Sequence, residues 1–561
     1  MFARLKRNDT GERGREYLQI VESYRQGPRV RQRVIATLGR LDQLQASGAL
    51  DGLLRSLGRF AQHVRVVEAS RSPKIISCRA RLWGPPLVFG RLWETQGLPE
   101  VLTPLAAGRR FGFDPERVAF ALALQRLCDP GSDLQGSQWL EAVEGAGLAG
   151  IALHQMYRTV AWLATVRERL ERELFFRDRD LFTQELDLVF VDTTSAYVYR
   201  AEETEWTKRG FSREHRPDLP QLVLCVAVDR RGWPVAWEVL PGNTADKPAF
   251  FQTVEKLRRR FRLGRVSVVA DRGMISREAI QYLTGDPASP WDYILGARLR
   301  RQKEVREQVL SRAGRYHEVA PNLKVKEVRV EGRRYVVCRN EEEAHKDALA
   351  RAQIVARLEK KLAGGAAKSL VGNLGFRRFL KGERGAWRID REAVAADERF
   401  DGVFVLRTNL DLPPAEIATT YKGLWRVERT FREEKSTLEV RPLYHHLDQT
   451  RIGHIVASFL ALRLEVDLQR RLEEKRIEVS WPDLMRDLKA LQAVRLNLDG
   501  EGYLVRTDFE GAAHAAFRAA GVRPPHKVTP LPEPPPPTPE EGKCSATDEI
   551  AAPNLFEFKD V

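Results

Sequence analysis

Three carboxylates in this 561-residue chain stand where chemistry could be done. Asp192 closes the apolar run LVFV (188–191), Asp271 closes VSVVA (266–270), and Glu428 sits within YKGLWRVERTFREEK (421–435). Short apolar runs of this kind read as buried strands, so each aspartate is expected at a strand end. Taken as a helix, the third stretch spaces Tyr421, Glu428 and Lys435 seven apart, on one stripe. Leu424, Val427, Phe431 and Leu438 then form an apolar stripe that docks the helix and presents Glu428. Alone, the stretch also fits a charged surface helix; the two upstream aspartates are what favour a site.

The elements around the aspartates say how they meet. The runs 188–191, 222–228 and 233–240 read as a meander of three antiparallel strands, with the turn DRRG (229–232) inside it. A helix over 248–261, a strand over 266–270, a helix over 276–283 and a strand over 293–297 follow. That order predicts an α/β fold with a ribonuclease H-like core, a mixed sheet flanked by helices. In it the first strand lies beside the fourth, which brings Asp192 and Asp271 together. Two adjacent carboxylates repel unless a cation neutralises them. Oxygen ligands without His or Cys suit Mg2+ or Mn2+. With Glu428 as a third ligand, the set fits two ions and phosphoryl transfer.

Charge points to the partner. The chain carries a net +15, with 43% hydrophobic and 30% charged residues, a globular balance whose excess of cations suits a nucleic acid. No apolar window reaches membrane-spanning length and no leader is visible, so a cytoplasmic protein without a membrane partner is expected. The five cysteines are scattered singly and suggest neither disulfides nor zinc.

Residues 1–40 hold ten Lys or Arg against four Asp or Glu. Within them 17–24 and 30–38 read as a hairpin about Gly27 and Pro28, with Arg29, Arg31 and Arg33 on one face, able to follow a DNA backbone or simply to keep an edge soluble. The expected organisation is a DNA-contacting hairpin and linker (1–70), an all-helical domain (71–182), a first part of the core (183–299), a β-rich insertion with a charged helix (300–397), a second part of the core (398–522) and a proline-rich, disordered tail (523–561). His445 and His446 lack metal spacing and read as structural or phosphate-facing.

The runs VDTT (191–194) and VADRG (269–273), together with YKGLWRVERTFREEK, resemble insertion-sequence transposases of the DDE class, in the IS4-like group and nearest the IS1634 type. Residues 210–243 and 441–462 are similar to the same family, so the resemblance spans most of 15–520. It implies that Asp192, Asp271 and Glu428 hold two Mg2+ or Mn2+ ions, and that Tyr421, Lys435 and Arg432 face DNA. It also implies that Arg298 and Arg300, with Arg301 and Lys303, help an inserted domain hold the duplex. Leu424 stands where the family has arginine. The implied activity is hydrolysis at terminal inverted repeats and strand transfer into target double-stranded DNA, by a homodimer in the bacterial cytoplasm, nucleoid-associated. A catalytically inactive, domesticated DNA-binding protein and a general ribonuclease H-fold nuclease are the alternatives.

Overall fold

A computed structural model describes residues 1–8, 15–26, 29–58, 76–77, 79–182, 188–212, 216–261, 266–271, 274, 277–285, 291–300, 302–363, 374–383, 386–428, 438, 440–498 and 501–531. They fall into two units, 1–80 with 493–508 and 525–561, and 81–492 with 509–524.

In the first unit the alternating runs do pair. The strands Arg15–Gln26 and Arg29–Arg40 form the expected hairpin, and a third strand, Phe2–Asn8, adds to its edge. The register sets Arg31 opposite Tyr24 and Arg33 opposite Glu22, with a 2.7 Å ion pair between the latter two. Arg29, Arg31 and Arg33 are all exposed. Two short helices, Leu41–Ala46 and Ala49–Gly58, follow. The expected turn at Gly27 and Pro28 and most of the proline-rich tail lie outside the described residues.

The second unit is built on one nine-stranded mixed sheet. Its strands are β1 (Leu188–Tyr197), β2 (Gln221–Asp229), β3 (Pro234–Pro241), β4 (Ser267–Ala270), β5 (Asp292–Gly296), β6 (His317–Ala320), β7 (Leu323–Val330), β8 (Arg333–Asn340) and β9 (Val403–Thr408). The order across the sheet is β6-β7-β8-β9-β5-β4-β1-β2-β3. β1, β2 and β3 are antiparallel, and β4 and β5 run parallel to β1, so the first strand lies beside the fourth as expected. Strands β6 to β8 of the 300–397 stretch do not stand apart; they extend this sheet through the antiparallel pair β8 and β9.

Because strand residues alternate between faces, the sheet buries two cores. Phe190, Val226 and Val269 face one, where Leu424, Val427 and the helix Asp448–Glu474 pack; the Trp237 and Phe459 rings lie there with centroids 3.7 Å apart, tilted by 33°. Val189, Val191, Val268 and Ala270 face the other, against Phe250, Val254 and Leu257 of the helix Asp246–Phe261 and Ile280 and Leu283 of Arg277–Thr284. The helices Gly84–Thr95, Leu98–Ala106, Pro115–Cys128, Asp133–Leu140 and Leu153–Phe182 lie in the same unit as the sheet and share the first of these cores.

Two local expectations need correction. Asp192 does not end its strand: Thr193 to Tyr197 continue β1 against β2, since β-branched and aromatic residues suit the pleated surface, and it is β4 that stops short. The stretch from Tyr421 is not one continuous helix either. Pro414–Lys422 closes at Gly423, and helix resumes at Trp425 after three-residue turns, Gly423 N–H to Thr420 O and Leu424 N–H to Tyr421 O. The cause is contact with the sheet, since a Cβ on Gly423 would lie 2.5 Å from the Phe190 ring.

Candidate active site

Register places the first two carboxylates. Val191 on β1 pairs with Ala270 on β4 in parallel, so the next residues are neighbours: Asp192, still paired within β1, and Asp271, the first residue past the end of β4. Asp192 is half-buried and Asp271 exposed. Oδ1 of Asp192 accepts a 2.7 Å hydrogen bond from Thr193 N–H, which fixes the carboxylate against its own backbone. The buried Thr193 hydroxyl donates to Oδ1 of Asp246, at 2.8 Å.

The interruption of the helix at Gly423 brings the third region over the sheet. The Tyr421 hydroxyl donates to Oδ1 of Asp271 at 2.9 Å, and its ring stacks on Phe404 of β9 at 5.9 Å. Leu424 and Val427 are buried as the apolar stripe requires, and Glu428 is exposed on the opposite side. Asp192, Asp271 and Glu428 line one cleft of about 1120 Å³. Asp246 and Glu343 line it too, against a single described cation, Lys422. Five carboxylates facing one ammonium group form a strongly anionic hollow, in a chain whose net charge is +15.

Such a hollow suits a hard divalent cation, because its acidic groups offer oxygen and, among the described residues, no His or Cys lines it. As a set, the oxygens of Asp192, Asp271 and Glu428 are not all within 4.8 Å of one another; among the described residues only Asp133, His445 and His454 meet that criterion. This second group already contains its cation. Arg126, fully buried, donates to Oδ1 of Asp133 at 2.9 Å and lies 3.0 Å from Nδ1 of His454. Burial pushes both imidazoles below their ordinary range; Asp133 opposes this at His445, while Arg126 adds to it at both. An arginine donating to Nδ1 leaves His454 its proton on Nε2, so the group reads as a buried structural network rather than a metal centre.

The remaining expected residues are distributed unevenly. Tyr421 is engaged with Asp271. Arg300 pairs with Asp397 at 2.8 Å and lies over the Phe400 ring, Lys303 is exposed beside Glu307 at 3.9 Å, and Arg298 is half-buried. Arg432, Lys435 and Arg301 lie outside the described residues. Leu424, in the arginine position, is 7% exposed, so that site is part of the core here. His445 is buried beside Asp133, as a structural role requires, and His446 is 3.2 Å from Arg200. Sequence reasoning missed Asp246, Thr193 and Lys422. Asp246 was detectable as an acidic residue opening a helix between two carboxylate-bearing strands, although a helix N-terminus accepts such a residue for its own sake.

Residues 3–70 match the family described as IS1634 family transposase, N-terminal domain, and residues 183–464 match Transposase DDE domain, half of the chain. No curated protein matches. Among solved structures, the chain is similar to one titled "Mos1 transposase paired-end complex with left transposon end", at 16% identity and a TM-score of 0.14. That match covers 34% of this chain and 64% of the other, less than two thirds of its length. Among the described residues no helix is long and apolar enough to cross a membrane.

Proposed function

Since the chain belongs to the DDE transposases, of the IS1634 type, we propose that it is a metal-dependent enzyme of a bacterial insertion sequence that cuts DNA at the element's terminal inverted repeats and joins the freed ends to target DNA. The observation that carries this reading is the position of Asp192 and Asp271 one residue beyond a parallel-paired register position on adjacent strands, lining a cleft shared with Glu428.

In this reading the core is ribonuclease H-like, and Asp192, Asp271 and Glu428 hold two Mg2+ or Mn2+ ions. When bound, such ions neutralise the carboxylates, sharpen water as a nucleophile and stabilise the departing oxygen. The protein's own groups do the positioning. Tyr421 holds one oxygen of Asp271, and the Thr193 backbone holds one oxygen of Asp192. Lys422 is the described cation that can receive a non-bridging phosphate oxygen. Water adds to the scissile phosphorus as the bond to the 3′ oxygen breaks, which yields a 3′-hydroxyl and a 5′-phosphate. The 3′-hydroxyl then attacks a target phosphodiester, with loss of the target's own 3′ oxygen. Arg29, Arg31 and Arg33 on the N-terminal ribbon, and Arg298, Arg432 and Lys435, are proposed to contact the duplex. Two element ends require two such sites, so the acting species is a homodimer in the cytoplasm, on the nucleoid.

The test is cleavage of end-labelled duplex carrying the terminal repeat that flanks this protein's own coding sequence, with Mg2+, for wild type and Glu428→Ala. Loss of cutting with binding retained is expected for the variant. Equal cutting by both removes Glu428 from the reaction. Binding without cutting by wild type leaves a DNA-binding protein, and cutting without preference for the repeat leaves a general nuclease.

A further inference from the structure

Trp425 is 50% exposed and belongs to two hollows at once. On one side is the carboxylate cleft. On the other is a second hollow of about 680 Å³, whose walls are Arg230 and Arg231 from the turn between β2 and β3, Arg426 beside Trp425, and Arg470 from the helix Asp448–Glu474. Among the described residues the sign of charge therefore reverses across a single indole: one lysine among five carboxylates on one side, four arginines against Glu473 and Glu474 on the other.

The arginines sit on fixed supports. Oδ1 of Asp229 accepts from Arg231 N–H and from Trp233 N–H, both at 2.8 Å, and Gly232 takes the left-handed φ of +84° that the turn needs. Arg230 and Arg231 are thus presented outward by a turn whose shape depends on neither side chain; both are exposed. Arg426 packs its stem over Gly232, where a Cβ would lie 3.7 Å from its own, and sets its guanidinium 5.1 Å from the Trp425 ring. Arg470 is held 5.5 Å from the Trp233 ring and 3.3 Å from Asp467. A planar guanidinium fixed by ring contact is well suited to a phosphate oxygen.

We propose that this hollow binds the backbone phosphates of the DNA strand that adjoins the one seated in the carboxylate cleft. The proposal rests on the transposase reading and adds a second anchoring site to it. A polyanion cannot lie along five carboxylates except where cations intervene, so its neighbouring phosphates must be taken up elsewhere. The arginine hollow adjoins the cleft, with Trp425 in the wall of both, and has the complementary sign. The position also accounts for Arg426, which faces this hollow and not the carboxylates.

The experiment titrates full-length protein into a fluorescein-labelled duplex of arbitrary sequence, with EDTA present, across a KCl series. Each phosphate contact contributes roughly 0.9 to the slope of log K against log salt. Arg230→Ala/Arg231→Ala is expected to lower that slope by about 2 and to weaken binding about tenfold or more at fixed salt, with an unchanged melting temperature. Should the double variant melt early, Arg231→Glu alone is measured in its place and is expected to weaken binding in the same direction. Wild-type slope and affinity in a folded variant overturn the proposal, as does a wild-type chain that binds no duplex. A lowered slope in a protein that never cuts DNA with Mg2+ keeps the hollow and sinks the enzyme reading; normal cutting with an unchanged slope does the reverse.

Discussion

The Tyr421 hydroxyl donates a 2.9 Å hydrogen bond to Oδ1 of Asp271, although 150 positions separate the two in the chain. This bond ties the tyrosine to a carboxylate of the cleft. Tyr421→Phe keeps the ring on Phe404 and removes only the donor. A hydrogen bond to a charged group is worth about 1.5–3 kcal/mol, so Mg2+-dependent cleavage should fall roughly 10- to 100-fold while DNA affinity stays as it was. A loss of affinity with an unaltered rate would restore the tyrosine to the DNA side.

Asp246 receives the Thr193 hydroxyl beside Asp192. If it acts by holding Thr193, Asp246→Asn still offers an oxygen acceptor and should cleave nearly as wild type, whereas Asp246→Ala should be slower by about an order of magnitude, in line with one lost hydrogen bond. Equal defects in both variants, with more Mg2+ needed for half-maximal rate, would make its charge the important property. Rates measured across a Mg2+ series separate the two.

Gly423 lies against Phe190 with no room for a methyl group. Gly423→Ala should destabilise the protein by about 1–3 kcal/mol, the usual cost of overpacking, and displace Glu428 with it. Combining it with Phe190→Leu should recover part of the melting temperature. A single variant as stable as wild type would mean that the chain yields there easily.

The Arg126–Asp133 pair is completely buried, at 0% exposure for both side chains. Asp133→Ala leaves the guanidinium uncompensated and should cost about 3–5 kcal/mol, read by chemical denaturation. A cost below about 1 kcal/mol, the range of a surface ion pair, would show that water reaches Arg126.

His445 and His454 are pushed below their ordinary range chiefly by burial. Folded, they stay neutral at a pH where the unfolded chain protonates them, so the unfolded state binds more protons and stability rises with pH. The contribution is complete above the unfolded value of about 6.5 and is lost as pH falls through it. Below that point stability should drop by about 1.4 kcal/mol per pH unit for each histidine still neutral. Melting temperatures from pH 8 to 5 check this, and His454→Gln should flatten the curve. A flat wild-type curve would contradict it.

Much of the architecture follows from local pattern. The runs 188–191 and 266–270 are apolar because both faces of their strands are buried, and that signal needs no partner to be read. Leu424 and Val427 mark a docking face by spacing alone, and both are buried. Alternation in 17–24 and 30–38 was enough for the hairpin, since adjacent strands with a short turn close locally. The nearness of Asp192 and Asp271 followed from strand order, because parallel neighbours in register put successive residues at one edge.

Tertiary structure decided the rest. Periodicity says which side of an element is buried but not against what, so nothing in YKGLWRVERTFREEK reveals that Gly423 must clear the Phe190 ring and break the helix. The bond from Tyr421 to Asp271, the acceptance of Thr193 by Asp246 and the reversal of charge across Trp425 each join segments far apart in the chain. Such contacts are fixed by how the sheet and helices pack, and hydrogen bonds and electrostatic fields depend on distance in space. The sequence by itself therefore pointed to three carboxylates that could form a site, and only packing decided that Tyr421 and Thr193 bond within it and that arginines line the hollow beyond Trp425.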